Sequence, residues 1–167
     1  MSSDKRKRYA IVPGSFDPMT IGHLDILRRA SELYDKVYLA ILINPSKDYL
    51  FNLETRKKIA EKACADMQNV TVIDDGGLLV DLARKLECSV IIKGVRDEKD
   101  FIYEKQMAAY NKNLAPEIET LLLPCHCDLL GVSSTKVREL LSVGDYENAK
   151  KILPCGTIEI ILKQRNA

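Results

Sequence analysis

The sequence predicts an α/β protein, built on an open five-stranded parallel sheet with helices on both faces. Three observations predict it. Short apolar runs of strand length, rich in Val, Ile and Leu, recur along the chain. Segments with apolar residues at helical spacing fall between them. A parallel sheet covered on both faces needs that alternation. Finally, 167 residues with 46% hydrophobic and 29% charged content suit a single domain of ordinary size with a real core. We take residues 1–8 as a solvated, flexible leader and residues 9–167 as one domain.

The elements follow in order. Residues 9–12 form a first strand, buried on both faces. A helix over 23–34 repeats Leu24, Leu27 and Ala30, with Ile26 and Leu33 widening the stripe. Residues 36–43 are a second strand and 44–48 a loop after it. Asn52 caps a helix over 53–67, with Glu54 in its first turn. Residues 70–73 are a third strand, 74–77 a turn, 78–86 a helix and 89–92 a fourth strand. Lys93-Gly94-Val95-Arg96 is read as a segment just past that strand. A long helix spans 97–113, and residues 118–123 are the fifth strand. Ser133-Ser134-Thr135 caps a helix with Val137, Leu140 and Leu141 on its apolar face. A short helix covers 145–153. The tail at 158–162 is ambiguous, because β-branched content favours a strand while Ile158, Ile161 and Leu162 fit a helix.

Composition narrows the function. A net charge of +1, from 25 basic and 24 acidic residues, gives no global electrostatic case for nucleic-acid binding. No apolar run reaches membrane-spanning length, so neither a bilayer crossing nor a signal peptide is expected. Lys5-Arg6-Lys7-Arg8 reads as part of the leader. Five cysteines, an odd number, favour a reducing, cytoplasmic setting. Cys125-His126-Cys127 lacks a second ligand pair at zinc-finger spacing and reads as a strand-end loop.

The informative stretch runs from Tyr9 to His23, with breaks at Pro13-Gly14 and Asp17-Pro18 and Gly22-His23 at a helix start. Strand, glycine-containing loop and helix N-terminus in succession hold phosphate, because loop amides and the positive end of the helix dipole point at one place. In an open parallel sheet, ligands lie outside the carboxyl ends of the strands. Ser15 stands there after strand one, Lys47 after two, Lys93 and Arg96 after four, and Ser133, Ser134 and Thr135 after five. These cationic, amide-rich and hydroxylic groups suit a polyphosphate. No Ser–His–Asp set is evident, so direct attack on phosphorus is expected, without a covalent intermediate. Each residue also has a plainer reading. His23 could cap its helix, Lys47 and Lys93 could be solvated, Arg96 could pair with Asp97 or Asp100, and Glu104 could be an exposed helix residue.

Gly14-Ser-Phe-Asp-Pro18 followed by Thr20-Ile-Gly-His23 resembles the N-terminal signature of the nucleotidylyltransferase superfamily. With Pro45-Ser-Lys47, Lys93-Gly-Val-Arg96, Asp100-Phe-Ile-Tyr-Glu104-x-Gln106-Met107, residues 111–116 and Val132-Ser-Ser-Thr135, the chain resembles the bacterial phosphopantetheine adenylyltransferases over residues 9–153. The resemblance implies a Rossmann-like nucleotidylyltransferase fold ending in a helix, and for that reason we favour helix in the tail. It implies transfer of AMP from ATP to 4′-phosphopantetheine, giving dephospho-coenzyme A and pyrophosphate. Mg²⁺, a cytoplasmic homohexamer and feedback by coenzyme A are implied with it. Another small-molecule nucleotidylyltransferase, or a non-catalytic ATP-binding module, are the alternatives.

By position, the resemblance makes His23, Lys47 and Arg96 catalytic. It assigns ATP to Ser15, Phe16, His23, Gly94, Val95, Arg96, Glu104, Leu129, Leu130, Gly131, Val132, Ser133, Ser134 and Thr135. It assigns phosphopantetheine to Ser15, Lys47, Leu79 and Lys93. No metal ligands are assigned. The family commonly has Arg where this chain has Lys93, and Thr where it has Ser15. Lys keeps the charge but loses the bidentate fork.

Overall fold

A computed structural model describes residues 7–165; of the proposed leader, residues 1–6 lie outside them. Arg8 is joined to the fold: its amide donates to the Asp35 carboxylate at 2.7 Å.

Five parallel strands form one sheet in the order β3-β2-β1-β4-β5. They are β1 (Tyr9–Gly14), β2 (Lys36–Leu42), β3 (Val70–Asp75), β4 (Val90–Val95) and β5 (Glu119–Pro124). The helices are α1 (Ile21–Leu33), α2 (Leu53–Ala63), α3 (Leu79–Lys85), α4 (Glu98–Leu114), α5 (Ser134–Ser142), α6 (Tyr146–Ile152) and α7 (Ile158–Arg165). The chain builds outward from β1 to β3, then returns to place β4 on the other side of β1. The switch point therefore lies between the carboxyl ends of β1 and β4.

Successive strand residues face opposite sides of the sheet. Ala10, Val12, Val37, Leu39, Ile41 and Ile92 join the larger core with residues of α1, α2, α5, α6 and α7. Ile11, Ala40 and Ile91 join the smaller one with Val80, Leu82 and Ala83 of α3. Both faces are covered, and this is why the central strands carry no alternating polar residues.

Several boundaries differ from the sequence reading. β4 continues through Lys93, Gly94 and Val95, which pair with Leu122, Leu123 and Pro124 of β5, so these residues lie in the strand and not past it. Asp74 and Asp75 pair with Ile41 and Leu42, which extends β3 beyond the expected turn. Helix α1 begins at Ile21, capped by Thr20, so His23 is its third residue. Helix α2 stops at Ala63, because the Met67 amide turns back to the Cys64 carbonyl at 2.9 Å. The tail is helical. Ile158 and Ile161, one helical turn apart, are buried in the larger core, and packing overrides β-branched propensity.

Candidate active site

A cleft of about 370 Å³ opens at the switch point. Its lining comes from the β1–α1 loop, the end of β4, the first turns of α4 and the N-terminus of α5. Ser15, Phe16, His23, Lys93, Gly94, Arg96, Glu104, Val132, Ser133, Ser134 and Thr135 all line it, as the sequence reading expects. Lys47, Leu79, Val95, Leu129, Leu130 and Gly131 do not stand among the lining residues. Lys47 is exposed in the β2–α2 loop. Leu79 packs on the smaller core, and Val95 is buried.

The α1 wall is built from backbone. Phe16 takes φ +47°, a left-handed conformation uncommon for a side-chain-bearing residue, and turns its ring inward. That ring meets His23 edge-on, with centroids 5.2 Å apart. Gly94 lets α1 approach β4: a Cβ there would lie 2.8 Å from Ile26 Cγ1. The Thr20 amide donates to His23 Nδ1 at 3.1 Å, leaving Nε2 as the other ring nitrogen. Burial, with Lys93 and Arg96 nearby, lowers the His23 pKa to about 4. The imidazole is therefore neutral at pH 7.

The α4 wall is ionic. Arg96 makes a forked pair with Asp100, Nε to Oδ2 at 2.7 Å and Nη2 to Oδ1 at 3.1 Å. This is one of the plainer readings of Arg96, yet the pair lies within the cleft. The Arg96 guanidinium holds the Asp100 carboxyl below the usual carboxylate range. Lys93 Nζ lies 3.1 Å from Glu104 Oε1, with that carboxylate 13% exposed.

Sequence reasoning missed the residues that fix the loops. Asp17 accepts from the Leu50 and Phe51 amides, both at 2.9 Å. Its carbonyl accepts from Arg138 at 2.7 Å, and the Ser134 hydroxyl donates to the Pro18 carbonyl at 2.8 Å. Arg56 donates to the Ser15 carbonyl at 2.8 Å and stacks on Tyr49. Asp17, inside the quoted motif, was the one available signal.

A cytidylyltransferase-like family model matches residues 11–140. A Clostridium tetani protein named phosphopantetheine adenylyltransferase is 45% identical over 157 residues, covering 94% of this chain and 97% of its own. The chain belongs to the phosphopantetheine adenylyltransferase family. The family's Symbiobacterium thermophilum member is 47% identical over 135 residues, covering 81% of this chain and 83% of its own. Among solved structures, Plasmodium falciparum nicotinic acid mononucleotide adenylyltransferase complexed with APC superposes with a TM-score of 0.70. That match covers 95% of this chain and 96% of the other at 17% identity, so the fold is shared with an adenylyltransferase outside the phosphopantetheine family.

Proposed function

We propose that the protein transfers the adenylyl group of ATP to 4′-phosphopantetheine, forming dephospho-coenzyme A and pyrophosphate. The observation that carries this reading is the neutral His23, on the α1 wall of a cleft that Lys93 of β4 and Arg96 just after it also line, in a chain of this family.

The chemistry follows from these groups. ATP lies with its phosphates over the β1–α1 loop and the α1 N-terminus, where free amides and the helix dipole favour anions. His23 donates to an oxygen on the α-phosphorus and stabilises the charge that develops there. Gly94, Arg96, Glu104 and residues 132–135 line the cleft beside the nucleotide, while Val95 and residues 129–131 are assigned to it by family resemblance alone. Ser15 and Lys93 hold the acceptor from the cleft lining, Lys47 and Leu79 are assigned to it by family resemblance alone, and its terminal phosphate oxygen attacks in line as pyrophosphate leaves. That oxygen is already anionic, so no general base is required. Lys47 acts by moving in from its loop, and Arg96 by neutralising the phosphates.

Mg²⁺ belongs to this proposal. Asp100 and Glu104, the acidic residues lining the cleft, are already engaged by Arg96 and Lys93. That donor set suits an ion carried on ATP, held by phosphate oxygens and water, and adding positive charge at the polyphosphate. Coenzyme A shares the pantetheine arm of the acceptor and would compete for the same cleft, giving feedback. Five unpaired cysteines suit the cytoplasm.

Assembly into a homohexamer is proposed from α4. Of its residues only Asn111 is buried. Tyr103, Met107, Tyr110 and Leu114 are exposed at i, i+4, i+7 and i+11, an apolar stripe of the kind that packs on another helix. Tyr110→Glu should lower the mass seen by analytical ultracentrifugation; a wild-type monomer would remove the proposal.

The test of function is pyrophosphate release from ATP and Mg²⁺, with and without 4′-phosphopantetheine, for wild type and His23→Ala. Release that needs the acceptor and collapses in the variant is expected. ATP binding without release would favour a regulatory module instead.

A further inference from the structure

Thr20 is buried and opens α1. Its amide donates to His23 Nδ1 at 3.1 Å, and its hydroxyl oxygen lies 3.1 Å from the same nitrogen. That hydroxyl oxygen also accepts from the His23 amide at 3.4 Å. A ring nitrogen that accepts from an amide must present a lone pair, because the amide cannot reverse its role. A proton on Nδ1 would face the Thr20 N–H directly. The single ring proton therefore sits on Nε2, and the Thr20 hydroxyl adds a second donor toward Nδ1. In a capping box a Glu or Gln usually receives the cap amide. Here the imidazole does, so the cap of α1 and the tautomer of His23 are one arrangement. The charged groups lining the cleft with the ring are Lys93 of β4, Arg96 between β4 and α4, Asp100 and Glu104 of α4, and Arg138 of α5. Both carboxylates are bound to Lys93 and Arg96. That leaves the surroundings unfavourable to an imidazolium.

We propose that Thr20 is the positioning residue that locks His23 as a neutral imidazole with its proton on Nε2. His23 then serves as a fixed hydrogen-bond donor, and not as an acid, a base or a cation. The catalytic meaning of this lock rests on the adenylyl-transfer reading, whereas the tautomer itself is a property of the free protein.

The test is long-range ¹⁵N–¹H spectroscopy of the full chain labelled at histidine. There are two histidines, and His126→Gln assigns the other signal. His126 is exposed and lies outside the residues lining the cleft. His23 should show the neutral Nε2–H pattern from about pH 5 to about pH 8. An Nδ1–H pattern, or an imidazolium at about pH 6.5, would overturn the proposal whatever the substrate proves to be. In the pyrophosphate assay, Thr20→Val should lower kcat about tenfold with KM for ATP within about twofold, and Thr20→Ser should restore it. Wild-type kcat in Thr20→Val would overturn the positioning role. If that variant does not fold, the wild-type spectrum still decides.

Discussion

On the α1 wall of the cleft, His23 receives its hydrogen bonds from the amide and hydroxyl of Thr20; on the α4 wall, Arg96 and Lys93 are held by the carboxylates of Asp100 and Glu104. The first wall is set by backbone that folding has already fixed. The second consists of ion pairs that an incoming phosphate competes with. A donor that needs no rearrangement can act on a developing charge at once, whereas a paired cation must first exchange its partner. On the adenylyl-transfer reading proposed above, transition-state stabilisation would fall to the α1 wall and ground-state binding to the paired cations opposite it.

The largest expected effect tests that division. His23→Ala should lower kcat by roughly 10²–10³ with little change in KM for ATP. A loss confined to KM would put His23 in binding and break the comparison. Next, Arg96→Lys should weaken kcat/KM about tenfold, mostly through KM, because Lys cannot reproduce the fork.

Acid stability sharpens the α1 side. The folded-state pKa of His23, about 4, lies below its ordinary 6.5, so the unfolded chain binds the proton more tightly. The contribution is complete above pH 6.5 and is lost as pH falls toward about 4. Its upper bound is about 3 kcal/mol. Urea unfolding from pH 4.5 to pH 7 should show a slope that His23→Gln loses. Equal slopes in both proteins would mean that the ring is not held neutral. The smallest effect concerns the α4 side: Lys93→Arg should lower KM for phosphopantetheine a few-fold, and an unchanged KM would remove any cost of Lys at this position.

Much of this was legible in the sequence. The apolar runs that became β1, β2 and β4 are continuous because both faces of the sheet are covered, so their pattern survives without context. Strand ends were harder, since Lys93-Gly94-Val95 is held in β4 by β5, a partner that local chemistry does not announce. Ser15, His23 and Arg96 could be placed because their motifs mark loop and helix starts, and Glu104 because it lies in a family motif within α4. Asp17 and Arg138 could not be paired from local pattern, being 121 positions apart. That Arg96 meets Asp100 was an open option resolved only by the shape of the first α4 turn.

The β2–α2 loop is pinned at two points. The Asn44 amide donates to the Tyr49 hydroxyl at 2.9 Å, and the Leu50 and Phe51 amides are fastened to Asp17. Between these pins lie residues 45–48, with Lys47 near their middle. The proposed role of that lysine at the cleft would draw on the conformational freedom of residues 45–48, between these two hydrogen-bonded points. The entropy lost on capture is confined to that short span and to one long side chain. On the proposed reading Lys47 would be a tethered arm, its travel limited by where Asp17 grips the chain.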